Sequence, residues 1–323
     1  MDKRNFTLST VYKVINPELI QLEKELKRAT QSSIDIISKI GNYIFRGKGK
    51  RIRPALLILC SKLLGYHKKE IIRYASVIEF IHTASLIHDD IVDNSNMRRG
   101  RKTIHHKWGS NISVLLGDYL YILSVKLSLN NNSRIIQSLS DITSQMIEGE
   151  LLELNESWNF DLEENKYLEI IKKKTASLFA GSCRIGALLA QASLKEEKTL
   201  TNFGLNTGLA FQIVDDLLDF TSNEKTLGKP VLSDLREGKI TLPLIYALRN
   251  DKEKILKLIG KKRKNFDIKK ILNFVIESGG VEYSYKKAES FIKKAKKNLE
   301  MFSDSIYKDS LMSLTDYILM RKK

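Results

Sequence analysis

An all-α fold is what this sequence predicts, and three observations predict it. Apolar residues recur at three- and four-residue spacing almost throughout, as in "LIQLEKELKRA" (19–29), "YASVIEFIHTASLIHDD" (74–90) and "YLEIIKKKTASLFAGSCRIGALLA" (167–190). No stretch keeps the two-residue alternation of a half-buried strand. Four prolines and 17 glycines in 323 residues leave long helical runs uninterrupted.

The runs are separated by four breaks. The first, "FRGKGKRIRP" (45–54), is Gly-containing and basic, and Pro54 can start the helix that follows. The second, "DNSNMRRGRKT" (93–103), ends the helix that carries "SLIHDDIVD" (85–93). "NESWNFD" (155–161) is the third, and "TSNEKTLGKPVLSDLREGK" (221–239), just after "AFQIVDDLLD" (210–219), is the fourth. The last seventy or so residues read as Lys-rich amphipathic helices such as "FIKKAKKNLEMF" (291–302), whose lysines make solvated faces. No repeat array or low-complexity linker divides the chain, so a single domain over 1–323 is expected. The longest apolar stretches, such as "PALLILCSKLLGY" (54–66), fall well short of the roughly 18 residues a membrane span needs. The N-terminal "MDKRNFTLST" lacks the apolar run of a signal peptide, and the expected compartment is the cytosol. Cys60 and Cys183 both fall in apolar helical patterns and read as buried, reduced thiols.

Two triplets of aspartate carry the chemistry. On a 3.6-residue repeat Asp89 and Asp93 share a face with Asp90 beside them, and Asp215, Asp216 and Asp219 repeat the arrangement. Like charges so close destabilise a helix unless cations compensate, and apolar neighbours mean that these acids leave helices otherwise facing a core. Oxygen-only clusters suit a hard cation, Mg²⁺ with Mn²⁺ as substitute, which prefers carboxylates, water and phosphate oxygens. Zinc is disfavoured because no Cys/His set has ligand spacing. His88, alone among the aspartates, reads as a packing residue or as a support behind the ligands.

Cationic residues accompany the acids: Lys50, Arg51 and Arg53, Arg98 and Arg99, Lys174 beside Thr175, Lys229 and Lys239. Several lie in Gly-containing loops where backbone can approach a phosphate. The net charge of +16 suits an anionic partner but does not choose one. Carboxylate clusters beside separate basic loops describe a diphosphate site, in which metal bridges some oxygens while Arg and Lys hold the rest. Nucleic acid is disfavoured, because metal-free acid clusters would repel its phosphates.

With "DDIVD…MRRG", "FQIVDDLLD", "GKGKRIRP", "KTASLF" and "LGKPVLSDLREGKITLPLIYAL", the sequence resembles the trans-polyprenyl diphosphate synthases, over blocks from about residue 41 to 248 and again at "ESGGVEY" (277–283). The resemblance implies the isoprenoid synthase fold, antiparallel helices around a deep central cavity with the two motifs facing each other near its mouth. It also implies head-to-tail joining of isopentenyl diphosphate to an allylic diphosphate, and a homodimer. By the same resemblance Asp89, Asp90, Asp93 and Asp215 bind the metal that holds the allylic diphosphate, with Asp216 and Asp219 in support. Arg98, Lys174, Lys229 and Lys239 match contacts to that diphosphate. Lys50, Arg53, His82 and Arg99 match the isopentenyl diphosphate site, and Thr175 and Gln212 match polar groups near the reacting carbons. Two departures stand out: Lys48 replaces the first residue of a usual Gly-Gly-Lys, and Ser233 stands where glycine is common.

Product length should depend on Ile81, Ala84 and Ser85, because side chains one to two turns before Asp89 line the path of the growing chain. The family's short-chain members carry a bulky aromatic at the position of Ala84. Small residues there predict a long product that supplies a quinone side chain, with membrane contact through that product. A short-chain synthase, or a non-catalytic subunit of a heteromeric one, is the alternative.

Overall fold

The computed structural model describes residues 7–47, 49–98, 100–129, 132–221, 231–260 and 266–321. Arg99 and Lys229, both expected to bind substrate, lie outside the described residues, as does Lys48.

Helices run in chain order as α1 (Leu8–Tyr12), α2 (Asn16–Ala29), α3 (Asp35–Phe45), α4 (Ile52–Leu63), α5 (Glu70–Val92), α6 (Ile104–Trp108), α7 (Ser110–Ser128) and α8 (Ser133–Asn155). They continue as α9 (Glu164–Ile171), α10 (Ser177–Leu189), α11 (Leu194–Thr221), α12 (Ser233–Arg236), α13 (Leu242–Ile259), α14 (Ile268–Glu277), α15 (Gly280–Leu299) and α16 (Ile306–Met320). The expected breaks therefore fall between α3 and α4, α5 and α6, α8 and α9, and after α11. One feature of the second break escaped the periodicity: a two-stranded antiparallel ribbon pairs Met97 with Lys102 and Arg98 with Arg101. Gly100 makes its turn at φ +73°, a backbone region costly for residues with a Cβ. Among the described residues no helix is long and apolar enough to cross a membrane.

The chain folds into two compact units, each built from several segments. One comprises Met1–Thr143, Leu178–Gly204 and Asn298–Tyr317; the other comprises Ser144–Ser177, Leu205–Lys297 and Ile318–Lys323. In the first, α5 is the core element, packed against α7, α4 and α2. It is apolar nearly all round, from Ile71 through Val77, Phe80, Ile81, Ala84 and Ile87, which is the pattern of a helix buried on several sides. α10 comes close to α4 because Gly186 has no side chain: a Cβ there would stand 2.7 Å from the Leu57 carbonyl oxygen. Cys60 and Cys183 are buried in this core without a disulfide, as expected. In the second unit α13 packs on α14 and α9, with Leu244, Ile245, Ile271 and Val275 buried.

Candidate active site

The first aspartate motif lies at the end of α5. Its half-buried stripe runs His82, Ser85, Leu86 and Asp89, at the three- and four-residue steps that put side chains on one helix face. Ile81 and Ala84 point elsewhere and are buried. Asp89 and Asp93 are partly exposed, whereas Asp90 is only 5% exposed. The Arg98 guanidinium donates to Asp90 Oδ1 at 2.6 Å from the ribbon that follows the helix. Burial pushes the Asp90 carboxyl up, and Arg98 only partly offsets this. Asp93 caps the helix, its N–H bonded to the Asp89 carbonyl.

Two of the basic residues near "GKGKRIRP" face different surroundings from the third. Arg53, in the first turn of α4, donates to His82 Nε2 at 3.1 Å and lies 4.6 Å over the Phe179 ring. Accepting at Nε2 leaves the proton of a neutral His82 on Nδ1. The Lys50 carbonyl accepts from the Tyr12 hydroxyl at 2.7 Å, which fixes the backbone at the entry to α4. Arg51 is turned inward: it adopts φ +51° and pairs with Glu23 and with buried Glu79. With only 9% of its side chain exposed, it is corrected from the diphosphate-binding cations to a buried ion pair inside the unit. His88 packs against α7, within 3.5 Å of Asp118, at a site opened by Gly117. It packs there, one of the two roles the sequence left open.

The second motif, on α11, is built differently. Asp215 is exposed over 55% of its side chain and pairs with Arg321 at 2.9 Å. Asp216 is 4% exposed and accepts from the Tyr167 hydroxyl at 2.5 Å and from the Gln212 amide at 2.8 Å. Thr175 in turn donates to the Gln212 carbonyl at 2.7 Å, so Thr175, Gln212, Asp216 and Tyr167 form one hydrogen-bonded chain. Burial, and then the charge of Asp234, push the Asp216 carboxyl well above its ordinary range. Asp219 is 1% exposed and accepts three bonds from the returning chain, from Ser233 N–H (3.2 Å), Ser233 Oγ (3.0 Å) and Asp234 N–H (3.1 Å). The serine that departs from the family's glycine thus adds one bond to this carboxylate.

Lys174 lies in a π-type turn, Lys172–Ala176, between α9 and α10. Such turns re-aim side chains and often mark functional positions. The turn backs onto Gly149 of α8, where a Cβ would stand 2.3 Å from the Lys174 backbone nitrogen. The Lys174 ammonium sits 2.6 Å from both Glu150 and Glu153, one turn apart on α8. Lys239 follows Gly238, is held by its N–H to the Asp234 carbonyl at 2.8 Å, and pairs with Glu237.

Sequence reasoning missed Tyr167, Glu150, Glu153 and Arg321. The two glutamates carried a usable signal, since "EGELLE" places them at i and i+3 on a helix face. Tyr167 and Arg321 carried none, because their partners are 49 and 106 residues away.

Among the described residues no three acid or imidazole side chains converge into a preformed metal cage. Within each unit the exposed carboxylates suit a hard divalent ion, which completes its shell with water and phosphate oxygens: Asp89 and Asp93 are partly exposed in the first unit, and Asp215 is exposed in the second.

A family model described as polyprenyl synthetase matches residues 34–275. The octaprenyl diphosphate synthase of Haemophilus influenzae is 36% identical over 315 residues, covering 95% of each chain. Component 2 of the heptaprenyl diphosphate synthase of Bacillus subtilis is 35% identical, covering 96% of this chain and 90% of its own. A polyprenyl synthase from Caulobacter crescentus, solved with calcium and isoprenyl diphosphate, superposes with a TM-score of 0.94 at 31% identity over the whole of both chains. Members of the family typically use divalent metal ions. The chain belongs to the polyprenyl synthetase family, the trans-polyprenyl diphosphate synthases, and is a prenyltransferase.

Proposed function

We propose that this synthase adds isopentenyl diphosphate head-to-tail to an allylic diphosphate and makes a long all-trans polyprenyl diphosphate that supplies a quinone side chain. The observation that carries the long product is the small-residue step before the first motif: Ala84 and Ser85 leave the five residues before Asp89 without Phe, Tyr or Trp. Ser85 shares the half-buried stripe with His82 and Asp89, so it is the residue of the three best placed to meet the growing chain. The similarity to octaprenyl and heptaprenyl diphosphate synthases supports the same reading.

Bound Mg²⁺, or Mn²⁺ in its place, would be held by Asp89 and Asp93 at the first motif and by Asp215 at the second, and would supply charge for the diphosphate leaving group. The chain's own residues do the rest. Arg98, Lys174, Lys229 and Lys239 bind the allylic diphosphate, and Lys50, Arg53, His82 and Arg99 bind isopentenyl diphosphate. Asp90 orients Arg98; Asp216 orients Gln212 and, through it, Thr175, whose polar atoms lie near the reacting carbons. Holding both substrates in one orientation makes the condensation effectively unimolecular.

A homodimer is part of this reading, supported by an apolar row on α7, where Leu115, Ile122, Val125 and Leu129 just beyond it are exposed. One domain over 1–323 is supported by a family match that runs through segments of both units. A cytoplasmic location is supported by the two unbridged thiols.

Chromatography of dephosphorylated products made from farnesyl and isopentenyl diphosphates tests the proposal. Chains of roughly six to ten isoprene units are expected, each unit needing about one helical turn, ~5.4 Å, of depth. A farnesyl or geranylgeranyl end product would reject the long-chain reading, and Ser85→Phe should shorten the product while leaving the first condensation intact.

A further inference from the structure

The last described residue makes an unexpected contact with the second motif. Arg321 follows α16 and is buried, its side chain only 3% exposed. One nitrogen, Nη2, donates both to the Phe211 carbonyl at 2.8 Å and to Asp215 Oδ1 at 2.9 Å. The guanidinium carbon lies 3.8 Å from the centroid of the Phe211 ring, a stacked cation–π geometry. Phe211 and Asp215 are one turn apart on α11, so a single helix face holds the cation. Arg321 Nε is buried without a hydrogen-bond partner. Burying a guanidinium is costly, and a buried cation needs a carboxylate. Asp215, half-exposed, is the carboxylate this one has, and only its Oδ1 is engaged.

We propose that Arg321 is a resident counter-cation of the second motif. It engages Oδ1 of Asp215, and its fixed charge keeps a divalent ion from loading on that carboxylate until a diphosphate arrives. This rests on Asp215 being a metal ligand, as proposed above. The stacking on Phe211 and the bond to its carbonyl anchor the guanidinium independently of Asp215, so the cation stays when metal binds. A nearby positive charge then repels the incoming ion, and the negative charge of a diphosphate offsets that repulsion. Metal and diphosphate therefore load together at this motif.

The test is Mn²⁺ binding to the full-length protein without any diphosphate, followed by the electron paramagnetic resonance signal of free Mn²⁺. Arg321→Met should bind one Mn²⁺ about tenfold more tightly than the unaltered protein, the scale of one unit charge acting on a divalent ion through well-screened surroundings. The gain should vanish in Arg321→Met combined with Asp215→Asn, and should shrink when inorganic diphosphate is added. Arg321→Gln keeps a donor for the Phe211 carbonyl and serves in the same comparison should the methionine variant fail to fold. Unchanged or weaker Mn²⁺ binding, or a gain that survives Asp215→Asn, overturns the proposal. Product formation by the unaltered protein is assayed separately: no prenyl product would defeat the functional reading, whereas normal product with unchanged Mn²⁺ affinity would defeat only the role of Arg321.

Discussion

The two aspartate motifs have the same spacing and different surroundings. In "DDIVD" the helix stops at Val92, so Asp93 stands at a helix end beside Asn94, and Asp89 and Asp93 both reach solvent. In "DDLLD" the helix runs on to Thr221, and the chain returns over it, so that Ser233 and Asp234 seize Asp219. The middle aspartate is buried in both, but Asp90 is held by a charged Arg98 and Asp216 by the neutral Tyr167 and Gln212. Aspartates at identical intervals therefore meet different surroundings: Asp89 and Asp93 of the first motif stay partly exposed, whereas in the second only Asp215 is well exposed and Asp216 and Asp219 are buried and bonded within their own unit. What separates them is how deeply each carboxylate is buried and which residue faces it.

The largest effect that could break this contrast is on turnover. Removing divalent metal with EDTA should abolish product formation, and Mg²⁺ or Mn²⁺ should restore it. Asp89→Asn should lower turnover by roughly a hundredfold or more, the scale of losing one element of charge stabilisation. Its denaturation midpoint should stay near that of the unaltered protein, because Asp89 lies partly in solvent. Full activity of Asp89→Asn would remove the first motif from the chemistry.

Stability should show the reverse asymmetry. Asp219→Ala strands three donors and should cost about 3 kcal/mol, whereas Asp93→Ala should cost little, as measured by urea unfolding. Equal losses at the two positions would erase the distinction between the motifs' third aspartates. A smaller effect sharpens the account of the middle ones. Tyr167→Phe removes a buried donor from Asp216 and should cost roughly 1–2 kcal/mol, leaving Gln212 as its remaining donor of this pair. The smallest belongs to Ser233→Gly, which deletes one hydroxyl bond to Asp219 and keeps both N–H bonds. It should cost about 1 kcal/mol or less and leave turnover unchanged.

The sequence by itself determined the helical class, four of the breaks between helices and both aspartate motifs. Those are local properties: a 3.6-residue repeat, Gly-containing basic loops and like charges on one turn are all written in neighbouring residues. It also placed Arg98 beside the first motif, because that partner is eight residues from Asp90. Only the tertiary structure decided the rest. Arg51 sits between Lys50 and Arg53 in the same basic run, yet Glu23 and Glu79 draw it inward. Lys174 is aimed by a π-type turn that depends on Gly149 of another helix. Asp216 and Asp219 are committed to Tyr167 and to the 233–234 segment, and Asp215 to Arg321, through contacts between residues far apart in the chain. Spacing fixes which side chains share a helix face; burial and the identity of the facing residue decide which of them remain available to bind, and those are set only when distant segments pack.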